Sequence, residues 1–327
     1  MPRLDRRGVL AGLAALGAPM IIARGARAQA RQMSIATGTT GGVYYPLGGG
    51  LANLLSRSIP GLSATVEVTG GSVANLQLLG ASRAELAFTQ VDAAVDAIRG
   101  NDRFKGRPVP VRAIAVLYTN RMQAVTTVAS GITTIEGMKG KRVSTGAPGS
   151  ATEVMAFRLI EAAGLDRDKD FRARERLSPA ESTNAVKDGK LDAYFFVSGI
   201  PTSAITDLGA SPGVQIRMVD HERYIAKIVE KYGPVYFPEI IPAGTYPGQK
   251  TDNKQMSVAN ILAVREEMPE AEVTALLKTA WEGREELGRV HAEGRNFTLA
   301  AQKTAAAGVP WHKAAEAFWT AQGAKLA

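Results

Sequence analysis

Apolar residues along the chain follow two patterns that alternate, short runs typical of strands and longer stretches with the spacing of a helix face. A short apolar run at 35–36 leads through a glycine- and threonine-rich turn into an apolar helical stretch at 43–55. A strand at 64–69 followed by a helix at 73–79 repeats this order. Such alternation favours an α/β fold with largely parallel strands.

The same patterns predict the remaining elements of this fold. Four prolines within 233–248 argue against a helix or a central strand there. Glycines at 48–50 lie inside the first helix, where each costs about 1 kcal/mol relative to alanine, so close packing is expected there. Further strands are expected at 86–88, at 111–118 with an extended continuation at 124–128 that would leave the first lobe, and at 141–144, 191–197 and 256–264. Further helices are expected at 93–99, from 150, from 178, at 269–289 and from 313.

The chain contains a weak internal repeat. A helix, a glycine turn and an apolar strand follow one another at 75–88, and again with similar lengths at 184–196. Two lobes built on one plan would produce this repeat, although ordinary α/β connections produce it as well. We therefore expect two lobes.

The first 30 residues have the layout of an export signal. Arg6 and Arg7 form a basic start, an uncharged stretch follows at 8–23, and Ala28-Gln29-Ala30 supplies a small-residue cleavage site. The paired arginines resemble a twin-arginine signal, which a receptor recognises for export and which does not anchor the protein in the membrane. The uncharged stretch is short for a membrane span, and a retained anchor helix is the alternative. We expect removal of the signal and a periplasmic location.

Charge and cysteine content exclude several classes of function. The chain has 39 basic and 31 acidic residues, a net charge of +8, and no cysteine. Its first 30 residues hold five arginines and one aspartate, so the net charge of the rest is +4. That surplus is spread along the chain, so no nucleic-acid partner is expected, and it suits a small acidic ligand. The lack of cysteine excludes thiol nucleophiles, thiolate metal sites and iron–sulfur clusters.

The usual catalytic motifs are not recognisable in this sequence. His221, His291 and His312 lie far apart without metal-ligand spacing, which favours structural or surface roles. Ser150 has no nucleophile elbow around it. The glycines at 38–42 are followed by no Gly-Lys-Ser/Thr, and their spacing does not fit a nucleotide fingerprint. We predict no catalytic residue, no metal site and no cofactor.

Three strand–turn–helix junctions contain the remaining candidate binding groups. They lie at 37–44, 69–75 and 144–153, and each is rich in glycine, serine and threonine. The first N–H groups of a helix have no internal partner and carry partial positive charge, so they suit a carboxylate or another anion. In α/β sheets such junctions meet at the carboxyl ends of the strands. The sequence therefore predicts a polar cleft lined by N–H and hydroxyl donors.

Several of these segments, in order, resemble the TAXI family, the solute receptors associated with TRAP transporters. The first, Ile-Ala-Thr-Gly-Thr-Thr-Gly-Gly-Val-Tyr-Tyr-Pro, is similar to the family's opening motif. Two departures are Ala151, where the family usually has glycine, and Trp311-His312-Lys313, where it tends to have His-Pro-Gly. The likeness covers about 33 to 320, with motifs at 35–46, 70–76, 90–92, 146–152 and 241–249.

The resemblance implies a periplasmic receptor with a two-lobed type II binding-protein fold and a hinge between the lobes. Lobe I would comprise 31–121 plus 250–327, and lobe II 122–249. The ligand would be a small carboxylate such as glutamate or a dicarboxylate, passed to the membrane permease of a TRAP transporter. We expect a monomer that is not an enzyme.

The candidate ligand-binding residues follow from these junctions and from the resemblance. Tyr44 is expected to stack on the ligand, and Arg121 is the best candidate for an arginine clamp, although a weak one. The first wall would consist of Thr37, Gly38, Thr39, Gly42, Val43, Tyr44, Ser72 and Gln90, and the opposing wall of Ser144, Gly146, Gly149, Ser150, Thr152, Ser198 and Gly199.

Two other classes of protein remain open at this point. An exported enzyme on the same fold would need an activated nucleophile or base. A surface interaction protein would bind another protein and keep only a vestigial cleft. Binding and turnover of small molecules separate the three.

Overall fold

The predicted α/β fold is confirmed by a computed structural model that describes residues 31–326. Strands and helices alternate along most of this part of the chain, and the strands form one mixed ten-stranded sheet. The predicted export signal lies outside the described residues and stays a prediction.

The described part of the chain comprises ten strands and eleven helices, with short 3-10 turns such as Ala292–Asn296 between them. The strands are β1 (Arg31–Ala36), β2 (Leu62–Glu67), β3 (Leu86–Gln90), β4 (Val111–Thr127), β5 (Arg142–Ser144), β6 (Ala173–Glu175), β7 (Ala193–Ser198), β8 (Ile216–Met218), β9 (Tyr236–Ile241) and β10 (Asn253–Arg265). The helices are α1 (Tyr44–Ser58), α2 (Ser72–Gly80), α3 (Val91–Arg99), α4 (Ala151–Ala162), α5 (Pro179–Lys187), α6 (Ser203–Ala210), α7 (Ile225–Tyr232), α8 (Glu270–Glu282), α9 (Arg284–Val290), α10 (Thr304–Ala307) and α11 (Lys313–Ala321).

The sheet has two halves joined by two long strands. Its order is β2-β1-β3-β10-β4-β7-β5-β6, with β8 paired to β4 and β9 paired to β10. We call β1–β3 with α1–α3 and α8–α11 the first half, and β5–β9 with α4–α7 the second half. The crossing strands β4 and β10 are antiparallel to each other and extend into both halves.

The extended stretch after the strand at 111–118 belongs to the same strand. The sequence predicts a strand at 111–118 that continues in an extended form at 124–128, and β4 runs unbroken from Val111 to Thr127. The polar stretch between them stays extended because its backbone pairs with β10 on one side and β7 on the other. Its polar side chains also find partners, for example Gln123, whose Oε1 accepts a hydrogen bond from the Tyr246 hydroxyl at 2.5 Å.

The proline-rich segment forms an edge element, as its composition requires. Pro238 lies within β9, which pairs only with β10. A proline cannot donate to a ladder, so it is tolerated on a strand with one free edge. The prediction that this segment is neither a helix nor a central strand therefore holds.

Close packing accounts for two of the three glycines inside α1. A methyl group on Gly48 would lie 2.4 Å from the Thr37 side chain, and one on Gly50 would lie 2.9 Å from Val290. A methyl group on Gly49 would meet no atom of residues 31–326 within 4 Å. Gly48 and Gly50 thus allow α1 to pack closely against Thr37 and Val290, whereas no packing contact in this part of the chain requires a glycine at position 49.

A buried histidine makes the stability of the fold depend on pH. The Nδ1–H of His221 donates to the Val219 carbonyl at 2.9 Å, and its Nε2 accepts from the Met256 N–H at 3.2 Å. Burial of the ring lowers the pKa of His221 from 6.5 to about 4. Between these pH values the unfolded chain binds a proton that the folded chain does not, so stability falls as the pH is lowered.

We therefore expect the free energy of unfolding to lose roughly 3 kcal/mol from this group as the pH falls from about 6.5 to about 4. Urea unfolding of the wild type and of His221→Gln across this window measures the loss. The variant should have a shallower pH dependence, whatever its stability at neutral pH. Equal slopes in the two proteins would contradict the assignment.

Candidate functional site

Five helices begin at one cavity between the two halves. The starts of α1, α2 and α3 come from the first half, and those of α4 and α5 come from the second. The first residue of α5 is Pro179, which has no N–H group, so four of the five starts offer one at their first position. The walls enclose about 500 Å³, including the part open to solvent. The cavity therefore lies where the glycine-rich junctions of the sequence meet.

The structure brings most of the predicted binding residues together at this cavity. Gly70, Gly71, Ala147 and Ala151 complete the polar rim, and Leu177, Pro179 and the β7 segment 195–197 add an apolar wall. The predicted residues that line the cavity are Gly38, Thr39, Gly42, Val43, Tyr44, Ser72, Gln90, Gly146, Ser150, Thr152 and Ser198.

The other four predicted residues, Thr37, Ser144, Gly149 and Gly199, lie behind this wall. The Thr37 hydroxyl donates to the Glu67 carbonyl at 2.7 Å. The Ser144 hydroxyl accepts from the Leu177 N–H at 3.2 Å. Gly149 accepts a backbone hydrogen bond from α2, and Gly199 packs against the Glu293 side chain. These four shape the turns and do not face the cavity.

Asn75 fixes the position of the first-half turns. Its buried Nδ2 donates to the carbonyls of Thr37 at 2.5 Å and Phe88 at 2.8 Å. These carbonyls lie just beyond β1 and within β3, so a single side chain of α2 holds two strand ends in place. The starts of α1 and α3 are therefore held at a fixed distance from each other.

Two predicted hydroxyl groups already have backbone partners. The Ser150 hydroxyl accepts from the Glu153 N–H at 3.1 Å and donates to the Ala147 carbonyl at 2.6 Å, so it caps α4. The Thr152 hydroxyl accepts from the Val197 N–H at 3.1 Å. Both residues line the cavity, yet their hydroxyls support its wall. By contrast, the Ser198 hydroxyl has no hydrogen-bond partner within residues 31–326.

Tyr44 is the central polar group of the first wall. Its hydroxyl lies 3.3 Å from the Ser72 hydroxyl and accepts from the Asn120 Nδ2 at 3.2 Å. Its ring packs on Phe88 with centroids 5.5 Å apart. Burial raises the pKa of the Tyr44 phenol, so the hydroxyl stays protonated. Asn120 was missed by sequence reasoning, and its place in the polar stretch of β4 was the only signal for it.

No charged side chain lines the cavity in the described part of the chain. Arg121, the predicted clamp, instead pairs with Glu293 at 2.8 Å and with Glu239 at 3.3 Å. An anion in this cavity would therefore be held by N–H and hydroxyl dipoles and by helix N-termini.

The two halves touch each other around the cavity. The Ala74 N–H of the first half donates to the Gly149 carbonyl of the second at 2.9 Å. A methyl group on Gly70 would lie 2.1 Å from the Pro148 carbonyl oxygen. Farther out, Arg158 of α4 is buried against Asp96 and Asp92 of α3. The two halves are therefore in direct contact beside the cavity.

Neither a metal centre nor a membrane span is found in the described residues. No group of three or more His, Asp or Glu side chains within 31–326 is placed to hold a metal ion. None of the helices in this range combines the length and the apolar character needed to cross a bilayer.

Residues 35–323 match the NMT1-like family, and the chain belongs to this family. Solved structures show similarity at the level of the fold. A protein from Bordetella bronchiseptica RB50 has 17% identity and a TM-score of 0.51, covering 88% of this chain and 81% of its own. The Escherichia coli periplasmic aliphatic sulphonate binding protein has 14% identity and a TM-score of 0.45, with coverages of 82% and 80%. A putative L-cystine ABC transporter protein from Listeria monocytogenes has 12% identity and a TM-score of 0.48, with coverages of 82% and 95%.

Proposed function

We propose that this member of the NMT1-like family is a solute receptor that encloses a small carboxylate between its two halves. The observation that carries the proposal is the convergence of four N–H-bearing helix N-termini on a cavity whose lining, within residues 31–326, contains no charged side chain. Such N-termini stabilise an anion without a cationic residue. Each charge-assisted hydrogen bond to the carboxylate contributes about 1.5–3 kcal/mol.

The apolar wall supports a ligand with a short carbon chain. Phe195, Phe196 and Val43 face the same cavity as the helix starts. Their contact with methylene groups adds affinity through removal of apolar surface from water, about 25 cal/mol per Å². A free inorganic anion would leave this wall without a partner.

The resemblance to the TAXI family supports a role in TRAP-type transport. Four of the five motifs that resemble the TAXI receptors contribute residues to the cavity wall or its immediate support. On this basis the protein is a monomeric periplasmic receptor, exported by its twin-arginine signal, that passes its ligand to a TRAP-type permease. Glutamate and dicarboxylates are the first ligands to test. The lobe boundaries at 121/122 and 249/250 and the hinge between them belong to the same proposal.

The cavity gives little support to an enzyme. Within residues 31–326 no His, Asp, Glu or Lys lines it, so no hydroxyl there has a base to activate it. The Tyr44 hydroxyl is a poor acid or base at neutral pH because burial raises its pKa. Binding without turnover is the behaviour that this lining supports.

A thermal-shift panel of carboxylates, with each neutral amide or alcohol as a control, tests the proposal. A ligand at a hundred times its Kd should stabilise the protein by about 2.7 kcal/mol. Ser198→Ala should weaken binding about tenfold, because a free hydroxyl facing the cavity is removed. Ser211→Ala, which changes a half-buried serine that does not line the cavity, should leave binding unchanged. Consumption of a ligand over time would favour the enzyme, and no shift with any ligand would favour a surface interaction protein.

A further inference from the structure

Four buried polar side chains beside the cavity each have at least one polar atom without a hydrogen-bond partner among residues 31–326. We call Gln90, Tyr118, Asn120 and Asn260 the amide row, and none of them is more than 3% exposed. Within residues 31–326 five of their polar atoms have no partner, namely Gln90 Oε1, Tyr118 Oη, Asn120 Oδ1 and both side-chain atoms of Asn260. Buried polar groups are hydrogen-bonded in nearly all native proteins, so this concentration requires an explanation.

Strand register brings the amide row together. Asn260 of β10 lies directly opposite Gln90 of β3 and opposite Tyr118 of β4. Opposite residues of antiparallel strands point to the same face, with Cβ atoms about 4.5–5.5 Å apart. Asn120 lies two residues beyond Tyr118 and so shares that face. A β-bulge follows Asn260, and bulges are frequent next to binding sites.

The amide row adjoins the cavity at two points. Gln90 belongs to the cavity wall as well as to the row. Tyr44, also in the wall, accepts a hydrogen bond from the Asn120 Nδ2 at 3.2 Å. Tyr118 and Asn260 lie behind these two contacts, on the strands that cross between the halves, and do not themselves line the cavity.

The chemistry of the amide row is neutral. The atoms without partners are the side-chain amide nitrogen and oxygen of Asn260, the amide oxygens of Gln90 and Asn120, and the hydroxyl of Tyr118, all of which are uncharged. Glu293, whose charge acts on the Tyr118 hydroxyl, is itself bonded to Arg121 at 2.8 Å and to the Ile200 N–H at 2.7 Å. An ionised group placed on the row would lose its hydration without gaining a counter-charge.

We propose that the amide row is a second subsite, which binds an uncharged hydrogen-bonding group at the far end of the ligand. The inference rests on the proposed function, in which the helix N-termini hold the carboxylate. The ligand class narrows accordingly to monocarboxylates that carry a hydroxyl, keto or carboxamide group.

Calorimetry on the full exported protein tests the inference with matched short-chain acids. The probes are butanoate and pentanoate, the ω-hydroxy acid and ω-amide of each, the dicarboxylates succinate and glutarate, and the corresponding neutral diamides. The ω-hydroxy acid or ω-amide should bind at least about tenfold tighter than the parent acid and tighter than the dicarboxylate.

The variants are chosen so that a structural effect and a binding effect can be separated. Asn260→Leu keeps the size of the side chain and should abolish the preference for the polar end, while leaving affinity for the parent acid within about threefold. Asn253→Leu is the matched control, because Asn253 is also buried in β10 but bonds Asp220 at 2.8 Å, in the second half. Should Asn260→Leu fail to fold, Gln90→Met removes an acceptor that has no partner.

The outcomes distinguish the amide row from the receptor function. Tighter binding of a dicarboxylate than of its ω-amide would overturn the subsite and leave the receptor. An equal loss for polar and parent acids in Asn260→Leu would overturn it as well. Binding of diamides that depends on Asn260, without binding of any acid, would support the row and reject the carboxylate receptor. Binding of no probe would count against both.

Discussion

Gly70→Ala will keep the two halves from closing and will lower the affinity for the ligand by about a hundredfold or more. The added methyl group would lie 2.1 Å from the Pro148 carbonyl oxygen, and that oxygen belongs to the backbone of the opposite half. Neither partner is the flexible end of a side chain, so the clash is relieved only by moving the halves apart. Because only the closed state holds the ligand on both sides, the apparent Kd rises as the closed fraction falls.

Small-angle scattering and calorimetry with a ligand found in the panel measure this effect. The variant should have a larger radius of gyration at saturating ligand, with an unchanged melting temperature in its absence. Gly49→Ala is the matched control, because its methyl group meets no atom of residues 31–326 within 4 Å. It should bind normally and gain up to about 1 kcal/mol of stability, since alanine favours a helix interior. Wild-type affinity in Gly70→Ala would show that closure is not required.

The largest effect on stability is expected from Arg158→Met. Arg158 is buried, donates to Asp96 and to the Tyr236 hydroxyl, and lies 3.7 Å from Asp92. Asp92 is fully buried and also accepts from the Tyr236 hydroxyl at 2.9 Å. Removing the arginine leaves two carboxylates in the interior without a cation. The expected loss is about 3–5 kcal/mol at neutral pH.

Denaturant unfolding of Arg158→Met at several pH values measures this loss. Burial raises the pKa of Asp92 and of Asp96, while Arg158 acts in the opposite direction. Without the arginine both pKa values rise further, and a raised pKa in the folded state means that stability increases as the pH falls through it. The deficit of the variant should therefore shrink in acid. Arg57→Met, which breaks an exposed pair with Glu286, should cost at most about 1 kcal/mol.

The sequence was sufficient to locate the cavity because its signals are local. A glycine-rich turn between a strand and a helix has a recognisable composition, and parallel strands bring such turns to one edge of the sheet. For this reason the turns at 38–44, 70–72 and 146–152 meet as predicted. Composition does not reveal the direction of a side chain. The sequence assigns the hydroxyls of Ser150 and Thr152 to the ligand and does not reveal that each also accepts from a backbone N–H.

The residues that the sequence did not reveal depend on distant pairing. Asn120 and Asn260 share a face because β4 and β10 pair in one register with two bulges, and no local pattern encodes that register. Arg158 finds its carboxylates across the boundary between the halves. Arg121 was an expected clamp, yet Glu293, far along the chain, neutralises it outside the cavity. Long-range electrostatic partners of this kind follow from the fold alone.

In the receptor proposed above, the crossing strands would set the order in which a ligand meets its two walls. β4 and β10 are hydrogen-bonded to each other from Arg121 and Ser257 onwards, where the chain passes between the halves. A rotation of the halves about this ladder would move the atoms close to it least. Asn260 belongs to the ladder and pairs with Gln90, whereas Gly70 and Pro148 meet across the two halves. The amide row would then keep its shape in an open state, and the contact between Gly70 and Pro148 would form last.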